Sequence, residues 1–409
     1  MLRSAQLRLI LVCGALGVVA GVLVHARALV LAALAATLLG AAAAFTRGRL
    51  FDGLGYARRL SRPVVGWGDE VEVSLEVTNH KWLPVLWLRL RDRWPAAVEP
   101  LGFGVRYSGE RTVRILDHTY ALRWWERVAR RHRGRCRERG VHEFGPATAE
   151  AGDPLGVSSV ERALPGVDRL LVLPKVLAVP DLVPLFGLPQ VDAPARVSLA
   201  RDPTGLVGSR PYRRGDPPRL INWRATARSR ELVTNLFEPT VTAQAMICLN
   251  LRAVRHIYEG FDAEVMELLC VVGASLAAGV ASLGFAVGLL SNAQLTRAAA
   301  GVTIEPTADA LGDVLETLAR VALWPPMPFE RLLTAEAAAP RDATDYLLVT
   351  ALLDDQLAVE VEALRREATT HVVFVGTPPP ELAHLVDRRV DAALDWRSVD
   401  ALPLAGGGR

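Results

Sequence analysis

Lysine is almost missing: Lys81 and Lys175 are the only two, so 45 of the 47 basic residues are arginine. A GC-rich genome produces the same excess, so a single arginine carries little weight as a chosen guanidinium. Cysteine is sparse too. Cys13, Cys136, Cys248 and Cys270 form no C-x-x-C pair, and Cys13 lies inside an apolar run, which excludes a disulfide framework or a thiolate zinc site and fits a reducing cytoplasm. The eight histidines are scattered singly, and G-x-x-x-x-G-K-[ST], G-x-S-x-G and H-E-x-x-H are all absent, so nucleotide hydrolysis and serine or zinc hydrolysis have no signature. The first 45 residues contain no acid, only Arg3, Arg8 and Arg27. The remainder then balances at 44 basic against 44 acidic residues, leaving no field to draw in nucleic acid.

What is abundant is apolar. Of 409 residues 51% are hydrophobic against 22% charged, which excludes intrinsic disorder and allows two domains plus an appendage. Residues 9–24 and 28–46 are uncharged apolar runs separated by His25, Ala26 and Arg27. They predict a two-helix transmembrane hairpin within a segment 1–63. Arg3 and Arg8 precede it, and Arg47, Arg49, Arg58, Arg59 and Arg62 follow it. By the positive-inside rule both ends, and the body behind them, face the cytoplasm of a bacterial inner (plasma) membrane.

From 64 to 175 short alternating segments are bounded by turn residues, as expected of a small antiparallel β-sandwich: 71–77, 85–92, 112–117, 119–124 and 170–174. Arg131, Arg133, Arg135, Arg137 and Arg139 alternate with other residues, so a strand would carry all five on one face, either as contacts to an anionic surface or as an ordinary solvated face. Residues 176–207, with Pro180, Pro184, Pro189 and Pro194, read as an extended connector over the surface. From 241 to 409 strands and helices alternate, and the strands are nearly continuous apolar runs, which predicts a doubly wound, parallel α/β domain.

Between connector and α/β domain, 208–240 holds the least ordinary sequence. Arg210, Tyr212, Gly215, Asp216, Arg219, Asn222, Trp223 and Arg228 surround a Gly-Asp-Pro turn followed by helical spacing. Asp216 either caps that helix and pairs with an arginine, or serves as a charged functional group. The pattern R-x-Y-x-x-G-D-x-x-R-x-I-x-W-x-x-x-A-R resembles the signature of the bacterial domain-of-unknown-function family 58. Asn222 stands where that family usually has Asp. The hairpin, Gly68-Asp69, Arg139-Gly140 and Asp153-Pro154-Leu155-Gly156 are similar to family features in family order.

The resemblance implies a C-terminal domain similar to von Willebrand factor type A, whose first strand ends in a metal-binding D-x-S-x-S. Here Asn250, Arg252 and Val254 take those positions and offer neither carboxylate nor hydroxyl, so no metal and no cofactor are expected. Thr350, Asp354 and Asp355 are either remnants of such a site or a helix N-cap. The resemblance further implies a non-enzymatic, protein-binding adaptor, with a MoxR-type AAA+ ATPase and a transglutaminase-like membrane protein as partners. The rival reading is a hydrolase or nuclease using Asp216, Arg219 and Arg228.

Overall fold

The computed structural model describes residues 2–152, 159–180, 182, 206–211, 226, 233–237, 243–254, 262–295, 300–322, 328–341 and 344–407. They form two compact units, Met1–Leu173 and Pro174–Arg409.

The first unit opens with α1 (Leu2–Leu23) and α2 (Arg27–Gly48). Between them His25 takes a left-handed conformation (φ 53°). Its N–H donates to Val22 O at 3.2 Å and that of Ala26 to Gly21 O at 2.9 Å, the paired bonds that end a helix in a tight reversal. The helices then run back along each other on a small-residue seam. A Cβ on Gly21 would lie 2.8 Å from Val30 Cγ2, and one on Gly14 2.4 Å from Thr37 Oγ1, so backbone closeness depends on both glycines. Val12, Leu16, Val19, Leu31 and Leu38 are exposed on the outer surfaces.

Twelve strands follow: β1 (Leu54–Leu60), β2 (Val64–Val65), β3 (Glu70–Asn79), β4 (Val85–Pro95), β5 (Val98–Leu101), β6 (Arg106–Tyr107), β7 (Val113–Leu122), β8 (Arg127–Cys136), β9 (Gly140–Phe144), β10 (Ala147–Gly152), β11 (Ser159–Leu164) and β12 (Asp168–Val172). They pair as β1-β3-β8-β5, β11-β10-β4-β7-β6 and β2-β12-β9. All these ladders are antiparallel except β2 with β12. Alternation decides what faces inward: Val71, Val73, Leu75 and Val77 of β3 share one core with Leu88, Leu90 and Trp94 of β4 and Leu116, Tyr120 and Leu122 of β7.

Three sequence expectations change here. The runs 112–117 and 119–124 are one strand, β7, because His118 continues the inward register of Leu116 and Tyr120 where a turn was expected. Strand β1 lies inside the segment assigned to the hairpin and its flank. Arg58, counted among the cytoplasmic flanking charges, is buried on that strand and ion-paired inside the sandwich.

In the second unit β13 (Leu206–Pro211) pairs with β14 (Val233–Phe237). The main sheet contains β15 (Gln244–Leu249), β16 (Ala286–Leu295), β17 (Ala300–Thr307), β18 (Val321–Ala322), β19 (Thr344–Thr350), β20 (Thr370–Val375), β21 (Arg388–Val390) and β22 (Ala405–Gly406). Its order is β17-β16-β15-β19-β20-β21-β22, with β18 also on β16. The five strands β16, β15, β19, β20 and β21 are mutually parallel, whereas β17, β18 and β22 run antiparallel at the margins. Helices α3 (Ala263–Ser282), α4 (Leu311–Arg320), α5 (Phe329–Ala338) and α6 (Asp355–Glu367) complete a mixed α/β fold.

Among the described residues α3 is the one helix long and apolar enough to cross a membrane, and 67% of its apolar window is buried. It is a core helix, N-capped by Asp262, whose side chain accepts from Val265 N. In α1 and α2 the apolar stretches are shorter, Leu11–Leu23 and Arg27–Ala42. The start of the expected surface connector is also core: Leu177 and Leu182 are buried, and Leu177 N donates to Ser275 Oγ of α3 at 2.9 Å.

Both lysines do the same work. Lys175 Nζ donates to the carbonyls of Trp396, Arg397 and Val399 at 3.1, 3.0 and 2.7 Å. Lys81 Nζ donates to Arg49 O at 2.7 Å and to Leu50 O, carbonyls just past the end of α2, and burial lowers its pKa. An ammonium turns three donors toward converging carbonyls, which a planar guanidinium fork cannot do.

Candidate functional site

In a doubly wound sheet ligands sit beyond the carboxyl ends of the strands, at the point where the winding reverses. Here that point lies between β15 and β19, since β15 leads through α3 to β16 on one side and β19 through α6 to β20 on the other. Asn250 directly follows β15 and Thr350 ends β19, and Asn250 Nδ2 donates to Thr350 Oγ1 at 3.1 Å across the gap. From the neighbouring strand Asn292 Nδ2 donates to Asn250 Oδ1 at 3.1 Å. Asn250 Oδ1 also accepts from Arg252 N at 3.0 Å, Asn292 Oδ1 accepts from Leu251 N at 2.9 Å, and Thr350 Oγ1 donates to Leu352 O at 2.6 Å. All three side chains are fully buried.

Arg252 lies at the rim of this cluster. Its Nε donates to Val254 O at 3.3 Å and its Nη1 to Glu330 Oε1 at 3.4 Å. Glu330, in the first turn of α5, is buried. At the three positions aligned with the metal-binding pattern, therefore, Asn250 has its amide oxygen occupied, Arg252 supplies a cation, and Val254 supplies only a backbone carbonyl already hydrogen-bonded. A hard divalent ion needs several free oxygens and compensating negative charge, and these residues do not fit it. Among the described residues no three His, Cys, Asp or Glu side chains converge as metal ligands. The Thr350 hydroxyl proton is committed to Leu352 O, and Glu330 pairs with Arg252 through Oε1 while its buried Oε2 has no hydrogen-bond partner among the described residues. Asp354 is the N-cap of α6, its carboxylate accepting from Leu357 N at 2.9 Å. Asp355 is the next residue, in the first turn.

Of the signature residues Arg210 falls on β13, paired in register with Thr234 of β14. Tyr212, Gly215, Asp216, Arg219, Asn222, Trp223 and Arg228 lie outside the described residues.

The arginine series does alternate. Arg131, Arg133 and Arg135 point outward from β8 while His132, Gly134 and Cys136 are buried, and Arg137 continues the outward side past the strand end. Their neighbours on that face are acids: Arg135 meets Glu70 at 3.0 Å, Arg133 and Arg131 approach Glu72 at 3.8 and 3.7 Å, and Arg137 meets Glu99 at 2.8 Å, holding that carboxyl below its ordinary pKa. The face is a compensated cross-strand ladder. Arg139, half-buried, lies between β8 and β9.

Two polar clusters inside the sandwich were not anticipated. Asp92 accepts from Arg58 Nη1 at 2.6 Å and from the Tyr56 hydroxyl at 2.7 Å, and Arg58 donates further to Asp168 Oδ2 and Gly166 O, each at 2.7 Å. Burial and the Asp92 carboxylate push the Tyr56 phenol well above its usual pKa, so it stays a donor. His118 and His132 bring their Nε2 atoms within 3.0 Å from opposite sheets. Arg130 Nη1 faces His118 Nδ1 at 3.1 Å; a guanidinium can only donate, so the His118 proton sits on Nε2 and is given to His132.

Comparison with known proteins adds one informative match and several shallow ones. No curated protein matches the chain. Among solved structures, the CARDB domain of a Pyrococcus furiosus protein is 16% identical over 29% of this chain and 91% of that one, with a TM-score of 0.20. A cohesin module of a Clostridium perfringens family 33 glycoside hydrolase is 12% identical over 29% and 96%, also at 0.20. The Bacillus subtilis sporulation control protein Spo0M is 12% identical over 29% and 49%, at 0.17. At those scores the likenesses carry no argument. Residues 208–376, from β13 through the end of β20, match the family described as "Protein of unknown function DUF58", and that match supports the resemblance to domain-of-unknown-function family 58 read from the sequence.

Proposed function

We propose that the chain is a membrane-anchored, cytoplasmic protein-binding adaptor without chemistry of its own, working with a MoxR-type AAA+ ATPase in a chaperone-like or envelope-related assembly. The observation that carries the non-catalytic part is the closed Asn250, Thr350 and Asn292 cluster beneath the Arg252 and Glu330 pair. The place where this sheet would bind metal or substrate is filled by neutral amides already bonded to one another. The strand order, with β17 antiparallel beside β16, supports likeness to the von Willebrand type A fold.

The anchor reading draws on α1 and α2. Two 22-residue helices close on a glycine seam and turn leucine and valine outward, which in water exposes a large apolar surface and in hydrocarbon satisfies it. Arg49, Arg59 and Arg62 remain exposed on the body side of α2 and keep the positive-inside argument after the loss of Arg58. The ATPase partner follows from family resemblance.

The test is direct binding. The full chain in detergent, immobilised, is titrated with the purified MoxR-type ATPase of the same genome in ATP and in ADP. Saturable binding that differs between nucleotides supports the adaptor. Absence of binding in both, or turnover of phosphoester substrates by the chain itself, overturns it.

A further inference from the structure

Three indoles stand clear of the sandwich at one end: Trp82, Trp124 and Trp125 are 67%, 63% and 66% exposed. They ride on two loops, between β3 and β4 and between β7 and β8. Buried Asn79 ties the loops together, its Nδ2 donating to Leu83 O at 3.0 Å and Arg123 O at 2.8 Å and its N–H to Glu126 O at 2.8 Å. Trp125 N adds a bond to Lys81 O at 3.3 Å. The two loops therefore form a single rim.

That rim is also bonded to the chain leaving α2. His80 N donates to Gly53 O at 2.7 Å, and Lys81 Nζ to Arg49 O at 2.7 Å. Whatever surrounds the body end of the hairpin therefore also surrounds the indoles. Trp125 has φ 56°, a left-handed conformation that is unfavourable for a bulky side chain. Glycine would relieve that cost and remove the indole. Leu86, exposed at the start of β4, widens the apolar patch, and the exposed Arg49 and Arg123 bracket it with positive charge.

An indole with an apolar body and a polar N–H prefers the boundary between hydrocarbon and water, and a guanidinium beside it binds phosphate oxygens. We propose that this rim is a second membrane contact: Trp82, Trp124 and Trp125 seat in the headgroup layer of the bilayer that α1 and α2 cross, with Arg49 and Arg123 on lipid phosphates. The sandwich is then held against the membrane at a fixed tilt. This inference rests on the anchor reading of the hairpin.

The full chain is reconstituted into phosphatidylcholine and phosphatidylglycerol vesicles whose acyl chains carry bromine near the headgroups. Trp82→Phe, Trp124→Phe and Trp125→Phe are combined, keeping an apolar ring at each site, and an unchanged melting temperature certifies the fold. Flotation with the vesicles is measured on the same samples. The expected result is that wild type floats and is quenched by the bromolipid, and that the triple variant floats but loses most of the quenchable emission. Flotation without bromolipid quenching, or quenching that the triple variant retains, overturns the rim contact and leaves the anchor standing. Failure to float overturns both.

Discussion

Arg58 and Asp92 meet at 2.6 Å inside the sandwich, both almost without solvent contact, and they join the first strand to the central strand of the opposite sheet. The Tyr56 hydroxyl takes the second oxygen of Asp92, and Asp168 and Gly166 O take the rest of the guanidinium. Breaking a buried pair by deleting one partner strands the other charge, at about 3 to 5 kcal/mol. Asp92→Ala should therefore open β1 and β4 to hydrogen exchange at near-neutral pH, while Arg58→Met combined with Asp92→Leu should recover most of the loss. Equal exchange in the single and double variants would mean that the pair contributes only through side-chain volume.

The histidine pair makes the sandwich acid-sensitive. Burial and neighbouring cations lower both pKa values, that of His132 to about 4, from an ordinary 6.5. The folded state keeps the pair neutral while the unfolded chain takes up protons, so stability is complete above about pH 6.5 and falls as pH drops toward 4. Around the pair stand Arg130, Asp117, Tyr120 and Phe103, and Arg130 disfavours a second charge. Thermal unfolding of the full chain should lose several degrees between pH 7 and pH 5, and His132→Phe should flatten that dependence. A profile unchanged by the substitution would assign the acid sensitivity to other groups.

Lys175→Arg preserves charge and should still destabilise. Three carbonyls converge on one ammonium nitrogen, and the donors of a guanidinium diverge from one another in a plane and cannot meet all three at that point, so one hydrogen bond is lost at about 1 kcal/mol. The readout is hydrogen exchange in the segment around Trp396 to Leu402, where Leu402 N is bonded to Ala178 O. Protection equal to wild type would reduce the lysine to a plain positive charge.

Millimolar Mg²⁺ or Mn²⁺ should neither raise the melting temperature of the chain nor give stoichiometric heat on titration. Asn250 Oδ1 already accepts from Asn292 Nδ2 and Arg252 N, Thr350 Oγ1 accepts from Asn250 Nδ2 and donates to Leu352 O, and Arg252 brings positive charge to the same place. Stoichiometric binding would show that other oxygens complete a site.

The parts of this fold that could be read in advance are those where one period repeats along one element. The inward Val71, Val73, Leu75 and Val77, the outward arginines of β8, and the apolar strands of the α/β sheet all announce themselves. The Arg58 network was also written there: Leu88, Leu90, Asp92 and Trp94 share one register, and an acid in a core position demands a cation. What could not be read is which distant residue answers. Arg58 lies 34 positions from Asp92, and Asn292 lies 42 from Asn250. The two-residue strands β2, β6, β18 and β22 have no period to detect. Asp216, Arg219, Asn222, Trp223 and Arg228, which carried the recognition, lie outside the described residues.

Helix α3 has the mean hydropathy of a membrane span, 1.9 over its apolar window, yet ends in a protein core. In a chain anchored as proposed by α1 and α2, it would emerge beside a bilayer while being the more apolar helix. Its strand β15 waits for its second neighbour, β19, across 100 residues, Gln244 to Thr344. At about 5 to 20 residues per second that delay is about 5 to 20 s. The strand made directly behind α3, β16 from Ala286, pairs with β15 in register and gives the helix a protein surface first. On the anchor proposal, early β15 and β16 pairing would compete with membrane insertion of α3, and a substitution that slows that pairing would favour the misplacement of a core helix into lipid.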